Sequence, residues 1–340
     1  MARIDLAPIT QWITAAAVQH GEQLPAEVMA RLGVSRRRAL LLLRKLAAMQ
    51  WLQIAGTARR ATYSPGPLRQ VVRRYALQGL QEDAPWRCDF APHFALPTEV
   101  RRMARHAFTE LVNNAVDHSG GSQVTVSMRQ TPLQLQLLVS DNGCGLFDRI
   151  EQRFAIDEPA LAMLELSKGK LTSEPDRHSG HGLFFSSRLA DVFDIHANQA
   201  AFQCRSWERR PWRSGRPAAR CGTSIYLAIS LDTTRTLDGV LRAHGTGDRL
   251  GFDRTVVPLH LLAGGEEALA SRAEARRVSA RLASFQRAEI DFEGIADIGH
   301  GFADELFRVF QRANPTLELV PLGMNAQVRA MVDSVQRAGA

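Results

Sequence analysis

Cysteine is scarce in this chain of 340 residues, and the cysteines that occur are far apart: Cys88, Cys144, Cys204 and Cys221. No pair has the C-x-x-C spacing of structural zinc sites, and the scatter argues against a disulfide scaffold. No run approaches the roughly 18 apolar residues that cross a bilayer. Residues 1–10 lack the basic and then apolar pattern of a secretory signal. These absences predict a soluble, cytoplasmic protein that binds no membrane.

Lysine is almost absent as well, because all but three of the 42 basic residues are arginines. The formal net charge is +7 and the sequence pI is near 9.8. Guanidinium groups bind phosphate well, so nucleic acid is a candidate partner. A genome biased towards arginine codons explains the same composition, and composition alone leaves both explanations open. Hydrophobic residues at 45% and charged residues at 23% predict a globular protein.

Three segments of different pattern predict an α/β multidomain protein. Short helices and an extended stretch fill residues 1–66, which end at a Ser-Pro-Gly-Pro turn. A linker over 67–94 leads to a mixed segment of helices and alternating strands over 95–231. A second linker, 232–253, precedes 254–340, where short apolar runs alternate with helices as in a small α/β sandwich.

The first segment looks like a winged helix-turn-helix. Residues 25–32 would be its second helix, 33–35 the turn and 36–49 the recognition helix. The strand pair that follows would be the wing. We expect the following residues to contact DNA: Ser35, Arg36, Arg37 and Arg38 at the start of the recognition helix, and Arg59 and Arg60 in the wing. A protein-interaction module with a solvated basic face is the alternative.

The middle segment contains a helical pattern from Met103 to Val116, with Glu110, Asn114 and Asp117 on one polar face. An asparagine oxygen can complete the octahedral oxygen shell of Mg²⁺. A carboxylate one turn away can polarise an attacking water or hydroxyl. The spacing also occurs on ordinary solvated helices, so it points to phosphate chemistry only in combination with other motifs.

Two glycine-containing motifs follow this helix. Asp141 and Gly143 to Gly145 come after a predicted hairpin, where a carboxylate can accept a hydrogen bond from an exocyclic amine such as adenine N6. Residues 179–183, Ser-Gly-His-Gly-Leu, open a predicted helix, whose unpaired N–H groups favour an anion. Taken singly, the first motif is also an ordinary turn and His181 an ordinary surface residue.

The order of these motifs, followed by Cys221-Gly222-Thr223 before a strand, resembles the GHKL ATPase family, and the helix motif is most similar to that of anti-sigma-factor serine kinases. The resemblance implies an α/β sandwich with a mixed sheet covered by helices on one face, and it implies ATP and Mg²⁺ as ligands. Asn114 would hold Mg²⁺, and Glu110 would be the general base. The other nucleotide-binding residues implied are Asp117, His118, Asp141, Gly143, Gly145, Gly180, His181, Gly182, Leu183 and Thr223.

The same resemblance implies an ATP lid over residues 147–179, in which Lys168, Lys170 and His178 could reach phosphate. A basic surface loop is the alternative. The third segment resembles STAS-like domains through residues 290–295 and 301–306. The serine turn of phosphorylated STAS domains is replaced here by Ile298-Gly299-His300-Gly301, which argues against phosphorylation of this domain.

These features predict a cytoplasmic regulator in which Mg-ATP switches an assembly of winged-helix and STAS-like domains on DNA. The alternative is a protein-serine kinase or ATPase of the anti-sigma type that acts on a separate partner protein. Besides ATP and DNA, a regulatory protein partner and a homodimer remain open. The sequence does not contain the helical hairpin with a phosphoacceptor histidine that a sensor histidine kinase requires.

Overall fold

The computed structural model describes residues 5–57, 60–171, 180–218, 220–245, 252–262 and 269–339. Its α-helices are α1 (Ala7–Thr10), α2 (Ile13–His20), α3 (Leu24–Leu32), α4 (Arg36–Ala48), α5 (Asp83–Pro85), α6 (Thr98–His118), α7 (Leu146–Phe154), α8 (Pro159–Lys168), α9 (Gly182–Leu189), α10 (Leu237–Ala243), α11 (Arg272–Ser279), α12 (His300–Asp304), α13 (Gln311–Ala313) and α14 (Ala326–Gly339). Its strands are β1 (Leu52–Thr57), β2 (Arg60–Pro65), β3 (Arg69–Ala76), β4 (Gln123–Gln130), β5 (Gln134–Asp141), β6 (Val192–Ala197), β7 (Ala200–Arg205), β8 (Trp212–Ser214), β9 (Thr223–Ser230), β10 (Arg254–Pro258), β11 (Arg287–Asp291) and β12 (Glu318–Leu322).

The chain divides into two compact units, and each is discontinuous in sequence. The first unit contains residues 1–143 and 224–234. The second contains residues 144–223 and 235–340. None of the helices in the described ranges combines the length and the apolar character that crossing a membrane requires.

The N-terminal part of the first unit is a small helical module with one hairpin. Helices α2, α3 and α4 bury one apolar face each, and the antiparallel pair β1–β2 adds Trp51, Leu52 and Tyr63 to their core. Helix α3 ends at Gly33 in the left-handed conformation, which a glycine adopts at little cost. Helix α4 then begins after Ser35, whose side chain makes no capping hydrogen bond.

The remainder of the first unit is an antiparallel sheet with strands in the order β3-β4-β5-β9. The predicted hairpin over residues 124–137 and the strand over 225–229 are confirmed. Segment 67–94, expected to be a linker, instead contains β3, which pairs with β4 along its length. Arginine and glutamine occupy many positions of β3, so its sequence shows little of the apolar alternation that marks a strand.

The second unit begins with helices α7, α8 and α9 and the antiparallel strands β6-β7-β8. Phe147 of α7 packs against Phe202 of β7, with ring centroids 5.3 Å apart. Over the described part of the expected lid, residues 147–171, the chain forms most of α7 and all of α8. The segment expected to be a linker over 232–253 contains α10.

The C-terminal part of the second unit is a parallel sheet in the order β10-β11-β12. Parallel strands need crossover connections, and α11 and the helical stretch of residues 300–313 supply them. Ser271 and Glu274 form a capping box at the start of α11. Helix α11 ends at Ser279, and Arg281, two residues later, adopts a left-handed backbone.

The core of this C-terminal sheet extends into α8 and α9. Leu164, Phe184 and Phe185 are almost fully buried in the same apolar cluster as Phe252 and Phe292. Phe252 lies 4.6 Å from Phe184 and 5.2 Å from Phe185 between ring centroids. The two helices and the C-terminal sheet therefore share one hydrophobic core.

Candidate functional site

Helix α6 presents the polar face that the sequence predicted. Its opposite face is buried, with Phe108 packed edge-on or tilted against Trp86 and Phe90 at 5.4 and 5.1 Å between ring centroids. This packing fixes the rotation of the helix about its axis. Glu110 and Asn114 are consequently half-buried one turn apart on the polar face.

Asp117 and His118 lie in the last turn of α6 and are half-buried as well. The chain then turns at Ser119, whose hydroxyl donates to the carbonyl of Ala115 at 2.6 Å and accepts from the N–H of Gly121 at 3.0 Å. The end of the helix is thus closed by side-chain hydrogen bonds rather than left to solvent.

The Asp-Asn-Gly turn after β5 packs directly against this helix end. A Cβ atom at Gly143 would lie 2.2 Å from the carbonyl oxygen of Ser119, so only glycine fits there. Asn142 Oδ1 accepts hydrogen bonds from the N–H groups of Ser122 and Gln123, both at 2.9 Å. The structure therefore brings the first glycine motif and the end of α6 together.

Asp141 is 6% exposed and occupies the end of β5. Its Oδ1 accepts from the N–H of Gly143 at 2.8 Å, which orients the carboxylate within the turn. The residue before it, Ser140, shares a buried 2.7 Å hydrogen bond with Ser224. Ser224 follows Thr223, with which β9 begins.

In the second unit, Asn198 connects Cys144, within the first glycine motif, and Asp148 of α7 to the loop before Thr223. Its Nδ2 donates to the carbonyl of Cys144 and to Asp148 Oδ2, both at 2.6 Å. Its Oδ1 accepts from the N–H of Gly222 at 3.0 Å. No local sequence pattern marks Asn198 as a site residue. It lies in the turn between β6 and β7 and has a left-handed backbone, which asparagine tolerates better than most residues.

Gly145 stands at the start of α7 in a conformation with φ +92°, which side-chain-bearing residues rarely adopt. A Cβ atom there would lie 2.4 Å from Asn198 Nδ2. Glycine is thus required both by the backbone and by the close approach of Asn198.

The second glycine motif opens α9 as predicted. Gly180 has φ +66°, and Gly182 is the first residue of the helix. Leu183 follows in the first turn and is half-buried. The N-terminal N–H groups of a helix have no partner within the helix, so this end can bind an anion.

His181 is half-buried against aromatic rings, 4.7 Å from Phe252 and 6.0 Å from Phe185 between centroids. Burial, together with the positive charge of Lys170, lowers the pKa of His181 to about 4. The imidazole is neutral at pH 7, so it can offer a phosphate a hydrogen bond but no positive charge.

Lys168 and Lys170 were expected to reach phosphate from the lid, but both ammonium groups bind backbone carbonyls of residues 278–284. The ammonium of Lys168, 1% exposed, donates to Glu165 at 2.5 Å and to the carbonyls of Val278 and Ala280 at 2.8 and 3.1 Å. Burial lowers the pKa of Lys168 to about 8, although Glu165 counteracts part of this shift. The three hydrogen bonds use the donors of this ammonium.

Lys170 donates to the carbonyl of Ser284 at 2.6 Å and lies 4.3 Å from the centroid of the Phe285 ring. Burial lowers its pKa. Both lysines therefore bind the segment after α11 rather than an open lid. His178, the third basic residue expected in the lid, lies outside the described residues.

The expected DNA-binding residues lie at the start of α4 and in β2. Arg36, Arg37 and Arg60 are exposed and Arg38 is half-buried, whereas Arg59 lies outside the described residues. Arg44 and Lys45 of α4 are not among these expected residues. At 100° per residue these two share a face of α4 with Arg37, and both are exposed.

Two family models match parts of the chain. Residues 86–203 match the histidine kinase-like ATPase domain. Residues 274–329 match a STAS-like domain of unknown function, DUF4325. No curated protein matches the chain. The chain therefore contains a histidine kinase-like ATPase domain, as expected, and its ATPase match supports ATP as a ligand.

The match of residues 274–329 confirms the STAS-like domain that the sequence predicted. The ATPase match begins at Trp86, whose ring packs against α6, so it includes part of the segment expected to be a linker. It ends before Thr223, and the role of that residue remains a prediction.

Proposed function

We propose that this protein is an ATP-binding regulator in which Mg-ATP acts through the STAS-like domain on a DNA-binding N-terminal module. One observation carries the proposal: the helix that follows the second glycine motif shares its hydrophobic core with the STAS-like domain. The match of residues 86–203 to a histidine kinase-like ATPase domain supports the nucleotide.

The residues present fit Mg-ATP. The half-buried amide of Asn114 is the side chain that would hold Mg²⁺, most of whose remaining ligands come from phosphates and water. Across the described residues, no cluster of three His, Cys, Asp or Glu forms a separate metal site, which agrees with a metal that arrives with its nucleotide. Bound Mg²⁺ would neutralise phosphate charge.

The other proposed contacts divide by the part of the nucleotide. Asp141, oriented by the N–H of Gly143, would accept a hydrogen bond from the adenine amine. Gly143 and Gly145 would shape the base pocket, with Thr223 supporting Asp141. The phosphates would bind at the start of α9, at Gly180, His181, Gly182 and Leu183. The remaining nucleotide contacts would come from Asp117 and His118.

Coupling to the STAS-like domain follows from α9. Gly182 is a proposed phosphate contact. Phe184 and Phe185, two and three residues later in α9, lie in the shared core and pack on Phe252. A shift of α9 on nucleotide binding would disturb this packing, because close-packed cores respond to small displacements. ATP would then alter the equilibrium between two arrangements of the STAS-like domain, provided that it binds them with different affinities.

The N-terminal module would be a winged helix that binds DNA. Its proposed contacts are the exposed cations of α4, Arg37, Arg44 and Lys45, together with Arg36, Arg38 and the β1–β2 hairpin. Each phosphate contact should contribute about 0.9 to the slope of log K against log salt.

Calorimetry with Mg-ATP tests the nucleotide site. Asn114→Ala should lower the affinity at least tenfold, roughly 1.4 kcal/mol, because it removes the proposed Mg²⁺ ligand. Asn113→Ala is the matched control, since its amide points about 100° away around the helix. Absence of heat with the wild-type protein, or equal affinities of the two variants, would refute the site.

Fluorescence anisotropy on duplex DNA tests the regulation. The wild-type protein should bind with different affinities in the presence and absence of Mg-ATP, and Asn114→Ala should abolish the difference. Arg37→Ala combined with Arg44→Ala should lower the salt slope by about 1.8. Identical affinities with and without nucleotide would remove ATP control, and absence of duplex binding would remove the DNA function.

A second candidate function is protein-serine phosphorylation of a separate partner. Glu110 favours it, because its carboxylate lies one turn before Asn114 on the same half-buried face and would be the general base. The turn at residues 298–301 of the STAS-like domain is poorly suited to accept a phosphoryl group on serine. A Cβ atom at Gly299 would lie 2.2 Å from the carbonyl oxygen of Ala270, so a serine does not fit there.

Labelled ATP in a cell lysate tests this candidate. A partner labelled by the wild-type protein should lose its label with Glu110→Ala, roughly 10²- to 10⁴-fold in rate, while that variant still binds ATP. Labelling that persists with Glu110→Ala would contradict the role of Glu110.

A further inference from the structure

Strands β7 and β8 form an antiparallel hairpin that is anchored by contacts of its strands. Cys204 pairs with Trp212 across the two strands, and Trp212 is buried against Phe193 at 6.2 Å between ring centroids. The carbonyl of Trp212 also contacts His260 Nε2 at 2.9 Å. The strands are thus held in place, and the loop over residues 206–211 projects from them.

This hairpin carries a concentrated positive charge. Residues 205–216 contain five arginines and one acidic residue, Glu208. Arg205 is neutralised by Asp194, and Arg213 by Glu208 at 3.3 Å. Arg209 and Arg216 have exposed side chains, whereas the guanidinium of Arg210 lies close to Gly294.

The same loop exposes a large aromatic ring. Trp207 is 66% exposed, whereas Trp51, Trp86 and Trp212 are each at most 6% exposed. Burying an indole on another molecule gains free energy because it removes apolar surface from water. Aromatic rings next to arginines are the combination that binds single strands, since bases stack on the ring while cations follow the phosphates.

We infer that the β7–β8 hairpin is a second nucleic-acid site, at which Trp207 stacks on an unpaired base and Arg209 and Arg216 bind the flanking phosphates. The charge of the hairpin complements a phosphate backbone, and the ring complements the flat face of a base. A duplex hides these faces, so the hairpin should prefer single strands. The site is separate from the α4 face proposed for duplex DNA and does not depend on ATP.

Anisotropy with a labelled 20-nucleotide thymidine strand, without nucleotide, tests the site. The protein carries Arg37→Ala and Arg44→Ala as background, so that the α4 face contributes little. Trp207→Ala should weaken binding about tenfold, and Trp207→Phe should recover most of the loss, because stacking needs an aromatic ring. Trp207 is exposed, so its removal should leave folding intact, which circular dichroism checks.

The charge is tested separately. Arg209→Ala with Arg216→Ala should weaken binding and lower the salt slope by about 1.4, or about 0.7 for each phosphate on a single strand. Arg329→Ala, which removes one exposed arginine of α14 outside the hairpin, is the control and should change the affinity less than twofold.

Three results would overturn the inference. The first is absence of single-strand binding by the background protein at low salt. The second is equal affinity of Trp207→Ala and Arg329→Ala. The third is competition by polyglutamate as strong as that by the thymidine strand at equal charge, which would identify an acidic protein surface as the occupant. None of these results bears on ATP binding at Asn114 or on duplex binding by α4.

Discussion

Replacing Lys168 with methionine tests how firmly the STAS-like domain holds α8. Methionine has a similar length but no donors, so Glu165 and the carbonyls of Val278 and Ala280 lose a partner in a buried place. Removing one member of a buried ion pair typically costs about 3–5 kcal/mol. Arg281, which is partly exposed, still contacts Glu165. We therefore expect a loss near the lower limit, about 3 kcal/mol.

Urea unfolding followed by circular dichroism measures this loss. Lys170→Met is the matched control, because it makes the same chemical change at a half-exposed lysine that donates to the carbonyl of Ser284. We expect it to lower the unfolding free energy by about 1 kcal/mol. Equal losses for the two variants would refute the argument that burial and three hydrogen bonds make Lys168 the stronger attachment.

Three further predictions concern pH and the site loops. The pKa of Lys168 falls from 10.5 in the unfolded chain to about 8 in the folded protein, so the unfolded state binds more protons between these values. The wild-type unfolding free energy, measured relative to that of Lys168→Met, should therefore rise by at most about 3 kcal/mol from pH 8 to 10.5, and a flat difference would contradict the shift. Asn198→Ala should cost about 2 kcal/mol in urea unfolding and weaken ATP binding in calorimetry, because it removes three hydrogen bonds between loops; unchanged ATP affinity would deny it a positioning role. Gly143→Ala should abolish ATP binding in calorimetry because its Cβ meets the Ser119 carbonyl, whereas Gly301→Ala, whose Cβ meets nothing closer than 3.4 Å, should retain binding.

Strong local patterns explain which parts of the fold could be predicted. Helix α6 has an unbroken apolar stripe, and the turn at residues 131–132 separates two alternating strands, so both appear in the sequence. Strand β3 does not, because Arg69, Gln70, Arg73 and Arg74 interrupt any apolar alternation. Its pairing with β4, rather than apolar alternation, makes it a strand.

In the candidate site, the features that depend on short sequence motifs could be predicted. The contacts between residues far apart in the sequence could not. The glycine requirement at Gly143 and Gly145 follows from the turns that the motif implies. Lys168 was assigned to phosphate because a lysine in a lid is ordinarily exposed; its carbonyl partners lie more than 100 residues later in the chain. Asn198 acts through three residues that are remote in sequence, which no local pattern reveals.

The interrupted course of the chain through the first unit has a consequence for biosynthesis. Strand β5 is complete at residue 141, yet its neighbour β9 begins only at Thr223. Until the ribosome has added those residues, one edge of β5 has unpaired backbone groups that can recruit another nascent chain. A truncated N-terminal fragment that stops at residue 143 should therefore aggregate.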